Sequence, residues 1–165
     1  MNPKDIKNLI FVYGTLKRSQ PNYNVMTDQT NGEAKFVCTA RTVESYPLVI
    51  ASRYNIPFLL GKPGAGYQIT GEIYSVDEKM MKFLDDFEGH PGFYTRLQRQ
   101  VITEDGKTLM SWLYILEKFH SEMLNFPMIE NYDSYGDHGR PYVERLARQG
   151  YDPNNGNIEK NEIFI

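Results

Sequence analysis

The sequence has very few of the side chains that usually attack a substrate or bind a metal. Cys38 is the single cysteine among 165 residues, so a disulfide within the chain is impossible. It lies in an apolar stretch, which favours a small buried thiol over a nucleophile. No serine stands in the pattern of a nucleophile elbow, and His90, His120 and His138 lack the spacing of metal ligands. These shortages disfavour nucleophilic and metal-dependent chemistry.

Long apolar runs and an excess of positive charge are also missing. No window approaches the roughly 20 apolar residues of a membrane-spanning helix, and the polar segment 1–8 lacks the apolar region of a signal peptide. With 18 basic and 21 acidic residues, the formal charge of −3 leaves no basic face for nucleic acid. We therefore expect a cytoplasmic protein that binds neither membranes nor nucleic acids, and we expect it to be a monomer.

Aromatic residues, in contrast, are abundant, and the 12 tyrosines and 9 phenylalanines predict a ring-rich core or pocket. The hydrophobic fraction of 41% is ordinary for a globular protein, and the length fits one core. We predict a single domain over residues 1–150, followed by an Asn-rich, flexible tail over residues 151–165.

Short apolar or alternating segments bounded by turn residues predict about seven strands. In chain order, these segments are 9–13, 33–44, 46–50, 56–60, 67–76, 94–102 and 108–116. Asp105-Gly106 predicts a hairpin between the last two. One firm helix is predicted between an N-cap at Asp77 and a left-handed C-cap at Gly89, and a further short helix over residues 143–149. These elements indicate an α+β fold on a small mixed sheet or open barrel.

The segment Tyr13-Gly14-Thr15-Leu16 ends the first predicted strand abruptly. Gly14 allows a backbone conformation that other residues avoid, and it lets a ligand approach the chain closely. A turn of this kind can present successive backbone N–H groups to a carboxylate or an oxyanion. On its own chemistry, however, the segment is more simply interpreted as an ordinary strand-ending turn.

Three carboxylates, Asp85, Asp86 and Glu88, stand together at the C-terminal end of the predicted helix, where the helix dipole disfavours anions. If Glu88 lies under nearby rings such as Tyr94, burial raises its pKa and makes it a better proton acceptor near neutral pH. An exposed glutamate at a fraying helix end is the simpler interpretation of this segment alone. A glycosidase pair of Asp85 and Glu88 is disfavoured, because both lie on one helix face.

Taken together, ordered segments across residues 9–140 resemble the γ-glutamyl cyclotransferase superfamily, in the branch that acts on γ-glutamyl amines. The matching segments are 11–18 (FVYGTLKR), 20–22 (QPN), 46–51 (YPLVIA), 55–57 (NIP), 71–78 (GEIYSVDE), 83–88 (FLDDFE) and 132–135 (YDSY). The resemblance implies a small mixed β-barrel with flanking helices, and neither metal nor organic cofactor. It implies a catalytic general base at Glu88. Substrate binding is implied for five residues: Tyr13, Gly14, Thr15, Leu16 and Tyr94.

The implied reaction is an intramolecular one. The substrate's own α-amine attacks its γ-carbonyl, so that 5-oxo-L-proline and a free amine leave and no protein nucleophile is needed. The implied small-molecule substrate is the isopeptide between a glutamyl side chain and the ε-amine of lysine, left by degraded transglutaminase cross-links. Three alternatives stay open: a cyclotransferase for γ-glutamyl dipeptides or glutathione, a non-catalytic binding module on the same fold, and an interaction protein that uses the Asn-rich tail.

Overall fold

The computed structural model describes residues 8–148 and residue 163. In this part of the chain the strands are β1 (Leu9–Val12), β2 (Ala34–Tyr46), β3 (Leu48–Ala51), β4 (Ile56–Leu59), β5 (Tyr67–Val76), β6 (Thr95–Thr103) and β7 (Thr108–Ile115). The α-helices are α1 (Tyr23–Thr27) and α2 (Glu78–Glu88), and 3-10 helices span Ser121–Asn125 and Arg145–Ala147. Each predicted strand is present, within a few residues of its expected ends.

Five of the strands close into a barrel in the order β1-β5-β2-β6-β7. Neighbouring strands are antiparallel, except that β1 and β7 pair in parallel with Ile10 opposite Trp112. β3 and β4 form a separate two-stranded sheet. The architecture confirms the predicted α+β fold on a small mixed barrel. The strand pattern alone left closure open, because closure requires the first and last strands to meet.

β1 is buried on both faces, which explains why its sequence is a continuous apolar run rather than an alternating one. Leu9 and Phe11 belong to one apolar cluster, while Ile10 and Val12 belong to another. α2 adds three side chains to the second cluster: Met80, Met81 and Leu84. The end of β1 and the buried face of α2 are therefore tied to the same core.

Both predicted caps of α2 are present. The side chain of Asp77 accepts the backbone N–H of Met80 at 2.8 Å, which satisfies one free donor of the first turn. Gly89 has φ 69°, and its N–H donates to the carbonyls of Asp85 and Asp86. The helix thus stops directly after Glu88, and the chain turns away there.

The predicted helix over residues 143–149 is wrong within the described range. Arg145–Ala147 forms only a single 3-10 turn, and Arg148 after it is extended. The Val143 carbonyl, which would accept the N–H of Ala147 in an α-helix, accepts Nε of Arg148 at 3.1 Å instead. The N–H of Val143 donates to the Tyr54 carbonyl at 2.9 Å, which fastens the chain to another loop. Gln149 and Gly150, the expected end and cap, lie outside the described residues. Helix α1 was not predicted, since five residues are too short to show a helical period.

The predicted flexible tail, residues 151–165, lies outside the described residues apart from Ile163. Ile163 is buried, and its carbonyl accepts the N–H of His120 at 2.8 Å. Across residues 8–148, no helix combines the length and the apolar character needed to cross a membrane.

Gly71 supplies a test of the barrel packing. A Cβ built on this residue of β5 would lie 2.5 Å from both the carbonyl oxygen of Val12 and Cζ of Phe11. We expect Gly71→Ala to lower the free energy of unfolding by about 1–3 kcal/mol, because the backbone of β1 must move. Urea denaturation measures the loss. Gly92→Ala is the matched control, since its nearest atom is 3.9 Å away; equal losses for both variants would contradict the packing argument.

Candidate active site

The loop after β1 has a row of backbone donors without partners. The N–H groups of Gly14, Thr15 and Leu16 donate no hydrogen bond to any described residue, although Gly14 and Leu16 are buried. The loop is closed through its carbonyls instead, which accept from Lys17 at 3.2 Å and from Asn22 at 2.9 Å. Buried backbone N–H groups without acceptors are rare in folded proteins. The loop is therefore equipped to receive a negatively charged or carbonyl oxygen.

Gly14 is required for a different reason from the one the sequence suggested. Its φ is not in the left-handed region, so the expectation of a conformation reserved for glycine is wrong. A Cβ at this position would instead lie 2.9 Å from Cγ of Pro57. Glycine is needed here because β4 lies directly against the loop.

Two buried tyrosines stand beside this loop. The hydroxyl of Tyr13 donates to the Tyr114 carbonyl at 2.7 Å, and that of Tyr94 donates to the Pro57 carbonyl at 3.3 Å. Burial raises the pKa of both hydroxyls well above 10, and the charge of Glu88 raises both pKa values further. Both phenols therefore stay protonated at neutral pH and form uncharged walls.

Glu88 is the last residue of α2, and its carboxyl is withdrawn from water. The residue is half-buried, and desolvation raises its pKa from 4.5 to about 7, against a lowering by the charge of Arg145. Its charge acts on Tyr13, Tyr94 and Tyr114, which belong to the loop after β1, the loop before β6 and β7, respectively. At neutral pH this carboxyl can both accept and release a proton.

Asp85, one helical turn earlier, is fully engaged. Its Oδ1 accepts Nε of Arg96 at 2.7 Å and the hydroxyl of Tyr114 at 2.8 Å, and its Oδ2 accepts Nη2 of Arg96 at 3.2 Å. These bonds fasten the end of α2 to β6 and β7. Asp86 is exposed. Of the three clustered carboxylates, Glu88 alone is therefore both shielded and free to act on a ligand.

Sequence reasoning missed a further residue at this place, Arg145. Its guanidinium carbon lies 4.1 Å above the ring of Phe87, and Nη2 donates to the Phe87 carbonyl at 3.2 Å. The residue comes from the segment that was predicted to be a helix. No local pattern marks Arg145, because its place is set by contacts between segments far apart in the chain.

Other groups on which catalysis or metal binding could rest are less suitable. Burial raises the pKa of the half-buried Cys38 thiol, and acidic neighbours at Glu104 and Asp105 raise it further, which keeps the thiolate scarce. Within the described ranges, no three His, Cys, Asp or Glu side chains group as metal ligands would. The expectation of a site without metal or organic cofactor remains a prediction.

The closed barrel holds a shielded, protonatable carboxyl beside a loop whose N–H groups have no acceptor among the described residues. This combination is typical of an enzyme that transfers protons and stabilises an oxyanion. The family model described as "Gamma-glutamyl cyclotransferase, AIG2-like" matches residues 10–135. The chain belongs to this family and is a cyclotransferase enzyme, which confirms the resemblance seen in the sequence.

Individual relatives match most of the chain. The chain is 49% identical over 146 residues to the gamma-glutamylaminecyclotransferase of Rattus norvegicus, which spans 84% of this chain and 98% of the relative. It is 46% identical over 159 residues to gamma-glutamylaminecyclotransferase B of Danio rerio, across 93% of this chain and 83% of that one. The crystal structure of an AIG2-like protein from Mus musculus is similar with a TM-score of 0.82 at 49% identity, covering 86% of this chain and 98% of the other.

The raised pKa of Glu88 predicts how stability depends on pH. Because the folded state binds this proton more tightly than the unfolded state, stability falls as pH rises from about 4.5 to about 7. Near pH 8 the Glu88 carboxyl is mostly ionised, so burial of its charge lowers the free energy of unfolding by nearly the full amount. We therefore expect Glu88→Gln to raise the free energy of unfolding there, by on the order of 1–3 kcal/mol, and to lose this advantage in acid.

Thermal or urea unfolding of both proteins across this pH range measures the difference. Asp86→Asn is the matched control, because Asp86 lies on the same helix and is exposed, so its substitution should give a nearly constant difference. A Glu88→Gln difference that does not change with pH would contradict the burial of this carboxyl.

Proposed function

We propose that this cyclotransferase acts on L-γ-glutamylamines and releases 5-oxo-L-proline and a free amine. The preferred substrate in this proposal is the isopeptide between a glutamyl side chain and the ε-amine of lysine, as left by degraded transglutaminase cross-links. The observation that carries the proposal is a shielded carboxyl with a pKa of about 7 near a loop whose three N–H groups donate to no acceptor in residues 8–148. The names of the relatives from rat and zebrafish support the choice of amine substrates.

The first chemical task is to deprotonate the α-amine of the substrate. This amine is mostly protonated at neutral pH and cannot attack in that form. Glu88 takes the proton, and a base with a pKa near the working pH is effective because it is deprotonated often enough and still basic enough. Such catalysis typically contributes about 10²–10⁴-fold to the rate.

The second task is ring closure. The freed amine attacks the γ-carbonyl carbon of the same molecule, which forms the C–N bond of a five-membered lactam. Because both reacting groups belong to one bound molecule, correct orientation can contribute several kcal/mol, and roughly 7–11 kcal/mol in the best intramolecular cases. The uncharged rings of Tyr13 and Tyr94 limit the conformations of the bound chain and keep water from Glu88.

The third task is to stabilise the oxygen that becomes negatively charged. In the proposal, the N–H groups of Gly14, Thr15 and Leu16 donate to this oxygen in the tetrahedral intermediate. Loss of one such donor typically costs about 3–4 kcal/mol of transition-state stabilisation. Glu88 gives its proton to the departing nitrogen and takes the second proton from the ring nitrogen, and the bond between the carbonyl carbon and the departing nitrogen breaks. This second proton passes to the released amine, which leaves as an ammonium ion, and Glu88 is again deprotonated. Atoms and protons then balance without water or cofactor.

Replacement of the base tests the mechanism. We expect Glu88→Gln to reduce 5-oxoproline release from γ-glutamyl-ε-lysine by at least about 10²-fold, because the amide cannot accept the proton. Mass spectrometry of the product gives the rate. Asp86→Asn should keep native activity, and circular dichroism should show both variants folded. Turnover retained in the glutamine variant would remove Glu88 from this role.

The pH profile gives an independent check. Since the base must be deprotonated, kcat/KM should fall about tenfold per pH unit below an apparent pKa near 7. A profile that stays flat down to about pH 5 would contradict the assignment of Glu88 as the base.

Parallel assays with γ-glutamyl-alanine and glutathione decide the substrate class. Faster turnover of either would replace the amine proposal by the dipeptide or glutathione alternative. Ligand binding without turnover would indicate a binding module.

A further inference from the structure

Arg145 has hydrogen-bonding capacity that the fold leaves unused. Its Nε is buried and finds no acceptor among the described residues. The single described hydrogen bond of the guanidinium runs from Nη2 to the Phe87 carbonyl at 3.2 Å. A guanidinium carries five N–H donors in a planar fork, so most of them remain available. A buried donor without a partner is costly unless a ligand supplies the acceptor.

The guanidinium is held in place by contacts with Phe87 and by anchors of the chain that carries it. Its carbon stacks 4.1 Å above the ring of Phe87, the neighbour of Glu88. The chain that carries it is anchored by the N–H of Val143 on the Tyr54 carbonyl at 2.9 Å. Arg148 adds a second anchor, since its guanidinium carbon lies 4.3 Å over the ring of Tyr54 and its Nε donates to the Val143 carbonyl at 3.1 Å. An immobilised guanidinium loses little entropy when it binds.

Arg145 and Glu88 place opposite charges at one end of α2. The charge of Arg145 acts directly on the carboxyl of Glu88, yet no ion pair within 4.0 Å joins the two side chains among the described contacts. Arg145 is held by the carbonyl and the ring of Phe87, the residue before Glu88. The two charges therefore lie at the same helix end without forming an ion pair with each other among the described contacts. A γ-glutamyl compound carries an α-ammonium and an α-carboxylate on the same carbon atom. The α-carboxylate is complementary in charge to Arg145, and the α-ammonium is complementary in charge to Glu88.

We propose that Arg145 binds the α-carboxylate of the substrate, while Glu88 takes the α-ammonium. The inference rests on the function proposed above and deepens it, because it assigns the group that recognises the amino-acid head. It also leaves the N–H groups of Gly14, Thr15 and Leu16 for the γ-carbonyl oxygen. Planar, two-bond recognition of a carboxylate is the task for which arginine is best suited.

A competing role for Arg145 must be separated from binding. Its charge lowers the pKa of Glu88, among neighbours that include Tyr13, Tyr94 and Tyr114. If this were its only task, its removal would raise the apparent pKa of catalysis and would affect every substrate equally. Binding of the α-carboxylate, in contrast, affects only substrates that have this group.

The test compares two substrates on the full chain. One is L-γ-glutamyl-n-butylamine, and the other is the same molecule with the α-carboxylate replaced by a neutral carboxamide. Both release n-butylamine, which is assayed directly, so that kcat and KM are comparable. We expect Arg145→Gln to raise the KM for the carboxylate substrate by about 10–100-fold, the usual range for loss of a hydrogen bond to a charged group, and to change the KM for the carboxamide substrate by less than about threefold.

Two further variants complete the experiment. Arg140→Gln removes an exposed arginine of the same segment and should leave both KM values unchanged. Arg145→Lys keeps the charge and the apolar stem over Phe87, and it covers the case in which the glutamine variant does not fold. It should raise the KM for the carboxylate substrate by less than Arg145→Gln does, again without effect on the carboxamide. Melting temperatures establish that each variant is folded.

Each other outcome overturns the inference. Equal losses on both substrates, with the acid limb of the pH profile moved upward, would reduce Arg145 to an electrostatic neighbour of Glu88. Unchanged kinetics in folded Arg145 variants would show that the α-carboxylate binds elsewhere, while the proposed function would stand. If the native chain releases n-butylamine from neither substrate, the proposed function itself fails, and the assignment of Arg145 falls with it.

Discussion

The proposed chemistry depends on one shielded carboxyl group at the end of α2, that of Glu88. Desolvation raises the pKa of Glu88 to about 7, because its effect exceeds the lowering by the charge of Arg145. The C-terminal end of a helix is an unfavourable place for an anion, so other contacts of α2 must stabilise the position of Glu88. The caps at Asp77 and Gly89 and the apolar face of α2 supply them. The site is a locally unfavourable arrangement stabilised by its surroundings.

On one face of α2, Asp85 has a structural role, and Glu88 is left for the proposed chemistry. Both are acidic and lie one turn apart, yet Asp85 is bound by Arg96 and Tyr114, whereas Glu88 is surrounded by rings. The first carboxylate fastens the helix to the barrel, and this fixes the position of the second. Tyr114 connects the two roles, because its hydroxyl donates to Asp85 and its carbonyl accepts the hydroxyl of Tyr13. The geometry of the loop and of the helix end is thus set by one strand.

Features with local causes could be predicted from the sequence, and those with distant causes could not. The strands and both caps of α2 follow from alternation, turn residues and capping side chains. Closure of the barrel, the contact of Gly14 with Pro57 and the arrival of Arg145 at Phe87 each join segments far apart in the chain. The predicted helix over residues 143–149 fails for the same reason, since Arg148, which the pattern placed inside it, is extended and its guanidinium lies over the ring of Tyr54. The resemblance indicated Glu88, while its shielding emerges only from the packing.

The parallel pairing of β1 with β7 has a consequence for how activity arises during folding. β1 leads into the loop Gly14–Leu16, and β7 carries Tyr114, which connects this loop to the anchor of α2. Contacts between strands far apart in the sequence cost more chain entropy than local contacts and tend to form late. A chain with every hairpin in place but an unsealed barrel would have secondary structure and no competent site. Turnover would therefore report on the closed barrel alone, and partly folded forms would be inactive.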